Sequence, residues 1–266
     1  MRMRLRSLAP LMIVAATAAP MGSQALAADY SHYVSPWKTP WAYQGPRGAA
    51  HWSSLDPAYE ICNTGKAQSP IDIRNARKAH LPPLRFEYRS EPARYVINNR
   101  WTLRVNYHDA PGTGSFLVIG DKRYQVIQFH FHHPAEETID GKRYPMILHI
   151  MNKSSDGQVV GVTVFLKEGR ANPLFGSILE YGPATEGQVA VPGLDVDPSV
   201  MLPRDKAYYQ YMGSVSAPPC TEGVRWIVLK TPVEVSQAQI QAFAKLFPND
   251  ARPPQPLNGR VVEESE

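Results

Sequence analysis

Short stretches in which hydrophobic and polar residues alternate recur along the middle of the chain, and each is bounded by Gly, Pro, Asn or Asp. A period of two places the hydrophobic side chains on one face of a strand, and the bounding residues favour turns. Strands are predicted in this way over residues 85–88, 94–98, 103–107, 115–119, 123–132, 146–151, 158–166 and 224–229. Residues 29–69 are rich in Trp, Tyr, Pro and Gly, show no clear period, and are predicted to wrap irregularly over a core.

Helical signals are fewer. Ser236 with Gln239 three residues later forms a capping box, and hydrophobic residues follow at helical spacing until a proline ends the segment. Asn172 before Pro173 is typical of an N-cap and first helical position and predicts a short helix. No internal repeat is visible, and 43% hydrophobic content allows a substantial core. The sequence therefore predicts a single domain of the mainly β (α+β) class with a few short helices on its surface.

One strand carries candidate chemistry in the stretch QFHFHH at residues 128–133. His130 and His132 share one face, about 6 to 7 Å apart at Cα, while Phe129 and Phe131 face the other way. If strand 146–151 returns antiparallel, His149 adds a third imidazole and leaves one tetrahedral position open, as in catalytic zinc sites. The alternative is that each histidine is an ordinary core or surface residue.

The N-terminus has the features of a secretory signal peptide over residues 1–27: a basic MRMRLR, an apolar LAPLMIVAATAA and a small-residue ALA. A membrane anchor fits less well, because the apolar run is shorter than the ~20 residues that span a bilayer. The mature domain is therefore predicted to be residues 28–266, secreted and periplasmic. Its formal charge falls from +4 to +1, because the segment holds three arginines and no acid. With no Lys/Arg stripe visible, nucleic-acid binding is not expected.

Two cysteines, Cys62 and Cys220, remain in the exported portion. An even number in an oxidising compartment favours a disulfide, which in the chain-entropy model would contribute at most about 5 kcal/mol for so long a loop. Two buried free thiols are an alternative. Zinc binding by these cysteines is less favoured, since neither belongs to a CxxC-type pair.

Several motifs occur in a single order along the chain and together resemble the α-class carbonic anhydrases, particularly the bacterial exported type. They are QSPIDI (68–73), VINN (96–99), QFHFH (128–132), LH (148–149), GSVSAPPC (213–220), WIVLK (226–230) and RPPQPLNGR (252–260). The resemblance extends from Trp41 to Arg260. It implies a large, mostly antiparallel twisted sheet with a central zinc cleft, in which His130, His132 and His149 hold Zn²⁺.

The activity that the resemblance implies is the reversible hydration of carbon dioxide to bicarbonate and a proton, with zinc hydroxide as the nucleophile. Zinc lowers the pKa of a bound water from 15.7 to about 7. Glu136 matches the acidic member of the family's gatekeeper pair, and Ser216 stands where that pair usually has threonine. The resemblance implies that Ser216 accepts a hydrogen bond from the hydroxide and donates to Glu136. Serine should keep this role with looser rotamer control, and its alternative is a plain turn residue.

An apolar substrate needs an apolar wall in the cleft, and the resemblance assigns six positions to it. They are Met151, Gly161, Val215, Ala217, Val224 and Trp226. Gly161 stands where the family often has a bulkier aliphatic residue and Met151 where it usually has valine, so Met151 is predicted to fill the space above Gly161. Ala217 replaces a hydroxyl that often contacts bicarbonate. Each of the six could instead be an ordinary core residue.

The groups that support the zinc ligands depart from the family pattern. Gln128 matches the family's amide beside the first histidine, but Ile147 replaces the glutamate that usually supports the third. Glu137 in turn replaces a buried histidine. We expect Glu137 to supply the missing carboxylate to His149; the alternative is a solvated loop acid. Loss of such support typically costs about 10 to 100-fold in metal affinity or activity.

Trp101 is a further departure, because it stands where fast family members have a proton-shuttling histidine. Indole does not titrate, so turnover is predicted to be limited by proton export and rescued by imidazole buffer. Other histidines remain as possible substitutes, although no motif places them: His32, His51, His80, His108 and His133. The last of these should face away from the metal.

The sequence thus favours a zinc lyase, a carbonic anhydrase, acting on CO2 and bicarbonate, as a monomer or homodimer with no membrane span after signal cleavage. The alternative is a carbonic-anhydrase-like protein that retains zinc but serves as a binding module, which Ile147 and Trp101 keep open. Zinc-dependent ester hydrolysis would be a side reaction of the same nucleophile.

Overall fold

A computed structural model of the protein describes residues 39–93, 95–107 and 112–266. The predicted signal peptide at 1–27, the start of the mature domain, and two of the candidate shuttle residues, His32 and His108, lie outside the described residues.

Strands make up most of the regular secondary structure in the described chain. The strands are β1 Asp72–Ile73, β2 Arg77–Ala79, β3 Leu84–Glu87, β4 Glu91–Pro92, β5 Tyr95–Asn98, β6 Leu103–Asn106, β7 Phe116–Ile119, β8 Lys122–His132, β9 Thr138–Ile139, β10 Met146–Lys153, β11 Val159–Glu168, β12 Gly187–Val189, β13 Asp195–Val196, β14 Tyr208–Ser214, β15 Glu222–Val235 and β16 Glu263–Ser265. Every strand predicted from the alternation is present. The long strand β14 was not predicted, and β15 extends well beyond the predicted 224–229.

Twelve of these strands form one sheet, in the order β12-β5-β6-β8-β10-β11-β15-β14-β16-β2, with β7 and β3 added beside β8. The pairs within it are antiparallel except β11 with β15 and β16 with β2. Two smaller pairs, β1 with β9 and β13 with β4, lie outside this sheet. The prediction of a large, mostly antiparallel sheet is confirmed.

The helices are short: α1 Trp52–Leu55, α2 Ile61–Thr64, α3 Pro173–Tyr181 and α4 Gln237–Leu246. Asn172 caps α3 by accepting a hydrogen bond from the backbone of Phe175, and Ser236 with Gln239 forms both bonds of the capping box of α4. Both predicted helices are therefore confirmed. Among the described residues no helix has the length and apolar character needed to cross a bilayer.

The two faces of the central strands are buried in different hydrophobic clusters. On β10, Leu148 and Ile150 belong to the larger cluster, together with Phe129 and Phe131 of β8. Ile147 and Met151, which point to the other face of β10, pack in a second cluster that also contains Trp226. Because side chains alternate along a strand, the histidines of β8 and β10 lie on this second face.

A disulfide joins Cys62 to Cys220 and thereby connects α2 to the turn after β14. The prediction of this bond from the even cysteine count is confirmed, and the two alternatives are excluded. Such a bond is typical of an oxidising compartment. The surrounding cluster of Trp41, Trp52 and Trp101 packs the irregular N-terminal segment against the same turn.

Candidate metal centre

Strands β8 and β10 bring three histidines to one face of the sheet. His130 and His132 stand two residues apart on β8, and His149 of β10 is paired with His130 in the antiparallel register. Each ring offers a nitrogen, and these three atoms lie within 4.8 Å of one another. One metal ion can therefore contact all three, as the sequence predicted.

Each ring uses its other nitrogen to contact an oxygen atom of the protein. The contacts join His130 Nδ1 to Gln128 Oε1 at 2.9 Å, His132 Nδ1 to the backbone oxygen of Asp250 at 2.7 Å, and His149 Nε2 to Glu137 Oε2 at 3.4 Å. Contacts of this kind fix the orientation and tautomer of metal-binding histidines. They leave one nitrogen of each ring for a metal.

The nitrogens that remain fit a metal ion. Nε2 of His132 and Nδ1 of His149 are buried and have no hydrogen-bond partner, which would be costly without another ligand. Burial, together with the neighbouring imidazoles, lowers the pKa of His130 and His132 well below the usual value. Both rings are therefore neutral at neutral pH, the form that binds a metal. Three imidazoles with an open side suit zinc of the catalytic type.

A carboxylate and a hydroxyl form a buried pair beside the three rings. Ser216 Oγ donates a hydrogen bond of 2.5 Å to Glu136 Oε2, and the backbone N–H of Arg252 donates to Glu136 Oε1 at 2.9 Å. Glu136 Oε2 also lies 3.5 Å from His132 Nε2. Burial raises the pKa of Glu136 to about 7, while His149 and the Ser216 hydroxyl act in the opposite direction. The structure thus brings Glu136 and Ser216 into direct contact beside the three histidines.

The guanidinium of Arg252 holds the segment behind this pair. It donates to Gln68 Oε1 and to the backbone oxygens of Ser69 and Cys62 at distances of 2.7 to 2.8 Å. The same residue bonds Glu136 through its backbone, so the loop that orients Glu136 is tied to the disulfide segment. Sequence reasoning gave Arg252 no such role.

Glu137 is a buried residue of the centre and not a solvated loop acid, since it is only 1% exposed. Besides its contact with His149, it accepts a hydrogen bond of 3.0 Å from the hydroxyl of Tyr211. Ile147 is also buried, and it pairs with His132 in the register between β10 and β8. The carboxylate next to His149 therefore comes from the loop after β8 and not from β10.

The apolar residues predicted for the cleft wall lie in the second hydrophobic cluster. Met151, Val224 and Trp226 are buried there, and Val215 packs against it. Met151 pairs with Gly161 in the register, but a side chain at Gly161 would meet the Trp226 ring at 2.4 Å. The space that Met151 was predicted to fill is occupied by Trp226, and that prediction is corrected.

Trp226 also approaches the metal centre. Its ring centroid lies 4.7 Å from that of His149, and its Nε1 donates to the backbone oxygen of Ser214 at 3.0 Å. Ala217 packs against the aromatic and disulfide cluster. Trp226 therefore links the second hydrophobic cluster to the segment that carries Ser216.

Trp101 is 9% exposed and stacks on Trp41, with ring centroids 4.2 Å apart and an interplanar angle of 2°. The indole rings of Trp101 and Trp41 therefore form a stacked pair at this position. The ring of His133 contacts the carbonyl of Pro248 at 3.1 Å, and His80 pairs with Glu266 on the surface. His51 ends a single turn of 3-10 helix before α1.

Besides Arg252, two further supporting residues were not predicted from the sequence. Asp250 acts on His132 through its backbone oxygen, which leaves no mark in the side-chain pattern. Tyr211 lies on β14, the strand that was not predicted, so its contact with Glu137 was not anticipated. The resemblance covered both regions, but none of the quoted motifs includes either residue.

Three histidines on adjacent antiparallel strands, beside a buried carboxylate and hydroxyl, define a zinc site of the catalytic type built on a β-sheet. The sequence profile of the eukaryotic-type carbonic anhydrases matches residues 47–266. The chain therefore belongs to this family, the α-class carbonic anhydrases, which use zinc.

Individual relatives agree with this assignment. A carbonic anhydrase of Nostoc sp. is 37% identical over 231 residues, covering 85% of this chain and 86% of that protein. One from Pectobacterium carotovorum is 38% identical over 223 residues, covering 84% and 89%. The α-carbonic anhydrase of Thermovibrio ammonificans, solved with the inhibitor sulfanilamide, has a TM-score of 0.80 at 40% identity and covers 86% of this chain and 100% of its own.

Proposed function

We propose that this protein is a zinc carbonic anhydrase that hydrates carbon dioxide reversibly to bicarbonate and a proton. The observation that carries the proposal is the convergence of three imidazole nitrogens within 4.8 Å, next to the hydrogen-bonded pair of Ser216 and Glu136. Zinc bound by these nitrogens would act as a Lewis acid and lower the pKa of a coordinated water to about 7.

The protein's own groups orient the reacting oxygen. Because Ser216 donates its proton to Glu136, the lone pairs of its Oγ remain to accept a hydrogen bond from that oxygen. The oxygen's own lone pair is then aimed at the carbon of CO2. Arg252 keeps the carboxylate in place through its backbone N–H, so that the direction of the hydroxyl is fixed before substrate enters.

The apolar wall holds the other reactant. CO2 has no charge and makes weak hydrogen bonds, so a site lined by Met151, Val224 and Trp226 suits it better than a polar one. The ring of Trp226 lies over Gly161 and beside His149, so it joins this wall to the metal centre.

The proton that hydration releases has no titratable side chain at the position of Trp101. We therefore propose that proton export limits turnover, and that an external base replaces the missing histidine. At saturating CO2, the turnover of residues 28–266 should rise several-fold with imidazole concentration. Trp101→His should reduce this dependence and Trp101→Phe should retain it, since only the first supplies an acid-base group near neutral pH.

The same assay tests the proposed function and separates it from its alternatives. A zinc-loaded protein without CO2 hydration at any imidazole concentration would favour a zinc-containing binding module. Hydration at a rate independent of buffer would preserve the enzyme and overturn the shuttle proposal. If ester cleavage proved faster relative to its uncatalysed rate than CO2 hydration, an esterase would replace the lyase as the main activity.

We further propose that Glu137 takes over the support of His149 that Ile147 cannot give. Glu137→Gln keeps the size of the side chain but removes the negative charge, and is expected to weaken zinc affinity by about 10 to 100-fold. Competition with a chelator measures this directly. Glu180→Gln, on the surface at the end of α3, is the matched control and should leave zinc affinity unchanged. Equal zinc affinity in Glu137→Gln and the wild type would contradict the proposal.

The compartment follows from the domain that we propose, residues 28–266 after removal of the signal peptide. The disulfide between Cys62 and Cys220 is consistent with export to the periplasm. A single N-terminal sequence determination on protein purified from the periplasm would test both the compartment and the cleavage point.

A further inference from the structure

An arginine lies on the metal face of the sheet, on the side away from the apolar wall. In the pairing of β6 with β8, Arg104 is directly opposite His130 and Asn106 is opposite Gln128. Directly paired residues place their side chains on the same face, with Cβ atoms about 4.5 to 5.5 Å apart. Arg104 therefore shares the face of His130, one strand beyond the three histidines.

The burial pattern of β6 agrees with this orientation. Leu103 and Val105, the neighbours of Arg104, are fully buried in the larger hydrophobic cluster behind the sheet. Arg104 between them is partly exposed. Its positive charge also lies close enough to His130 to contribute to the lowering of that residue's pKa.

The metal face is thus polar on one side and apolar on the other. On β6 and β8 it carries Arg104, Asn106 and Gln128. The row of Asn106 and Gln128 continues across β10 and β11 through Met151 and Gly161 to Trp226 on β15. A positive charge in the polar part acts on ions and leaves a neutral gas almost unaffected. The two carbon-containing reactants of the proposed function differ in this respect, since CO2 is neutral and bicarbonate is an anion.

The geometry points to Arg104 as an anion-binding residue of the cleft, which attracts bicarbonate and other small monovalent anions to the metal centre without affecting CO2. The identity of bicarbonate as the natural ligand rests on the proposed function, but the binding of anions does not. A single charge at this range, partly screened by solvent and salt, is expected to change anion affinity by about five- to tenfold.

The test uses thiocyanate as the probe anion and calorimetric titration of the zinc-loaded protein. Arg104→Gln should weaken thiocyanate binding by about five- to tenfold, Arg104→Lys should restore most of it, and the loss should shrink as ionic strength rises. Arg123→Gln is the matched control, because Arg123 is an exposed residue of the same β8 strand that pairs with Glu87. It should bind thiocyanate as the wild type does.

Kinetics supply a second measurement. Arg104→Gln should raise the KM for bicarbonate in the dehydration direction by a similar factor and leave the KM for CO2 unchanged. Equal thiocyanate affinity in Arg104→Gln and the wild type would overturn the inference, even if CO2 hydration were normal. Weakened thiocyanate binding in a protein that does not hydrate CO2 would support the anion site and contradict the proposed function, so the two failures are distinguishable.

Discussion

Replacing His149 with alanine is expected to remove most of the bound zinc and nearly all CO2 hydration. The substitution deletes one of three ligands, and the two that remain on β8 cannot alone close a tetrahedral site. Loss of a supporting group typically lowers metal affinity by about 10 to 100-fold. The loss of zinc affinity in His149→Ala should be larger than this. Zinc content per chain after dialysis, measured together with hydration activity, checks the expectation.

His133→Ala is the matched control for this experiment. His133 directly follows the ligand strand, but its ring contacts the carbonyl of Pro248 and takes no part in the cluster of three. Its zinc content and activity should remain near those of the wild type. Full zinc occupancy and unchanged activity in His149→Ala would show that the metal is held elsewhere.

Ser216→Ala is expected to lower turnover by about 100-fold while zinc content stays the same, by analogy with removal of one preorganised hydrogen-bonding group from an active site. The hydroxyl is the only side-chain group that Ser216 can offer to the reacting oxygen, and its bond to Glu136 fixes its direction. Loss of this bond leaves zinc affinity untouched because Ser216 contacts none of the ligand nitrogens through a hydrogen bond in the described part of the chain.

A threonine variant shows whether the orientation of the hydroxyl at position 216 matters, and not only its presence. Ser216→Thr keeps the hydroxyl and adds a methyl that restricts its rotamers, so kcat/KM for CO2 should equal or exceed that of the wild type, while turnover stays limited by proton export. Glu136→Gln should resemble Ser216→Ala, because an amide can donate to Ser216 and reverse the direction of the bond. Wild-type turnover in Ser216→Ala, with zinc bound, would remove the pair from the mechanism.

The metal cluster could be predicted from the sequence because it depends on local geometry. A period of two places His130 and His132 together, and a short antiparallel return brings in His149, so only one pairing had to be guessed. The capping box at Ser236 was predictable for the same reason, as both of its hydrogen bonds lie within four residues.

Contacts between segments that are distant in the sequence were harder to predict. The backbone oxygen of Asp250 supports His132 across 118 residues of sequence, and a carbonyl carries no residue-specific signal. Likewise Trp226 covers Gly161 because β11 and β15 run parallel as neighbours, a pairing that the spacing of glycine and methionine does not reveal. The prediction that Met151 fills the space above Gly161 took account only of the antiparallel pairing of β10 with β11, and not of Trp226 on β15.

Strand β14 escaped prediction because its burial pattern does not alternate. In the segment YYQYMGS, buried positions occur at Tyr208, Tyr211, Gly213 and Ser214, with a register shift before the last residue. Tyrosine can be counted as hydrophobic or polar, so three such residues and a glutamine give no clear period. Because this strand was not predicted, the hydrogen bond from the Tyr211 hydroxyl to Glu137 was not predicted either.

Glu137, one of the departures from the family pattern, is connected by hydrogen bonds to the segment that carries Ser216. Glu137 contacts His149 and Tyr211, and the Tyr211 hydroxyl reaches Ser69 Oγ at 3.2 Å. Ser69 Oγ in turn accepts a bond from the backbone of Ser214, two residues before Ser216. The carboxylate that contacts His149 is therefore held by the same hydrogen-bond network that contacts the segment carrying Ser216.

We propose that His130, His132 and His149 hold one zinc ion with a fourth position open to water. X-ray absorption at the zinc edge of the purified protein tests this proposal most directly. We expect one zinc per chain, with three imidazole nitrogens and one oxygen at about 2.0 to 2.2 Å and no sulfur. A spectrum with sulfur ligands, with four imidazoles, or with no stoichiometric zinc after reconstitution would contradict it.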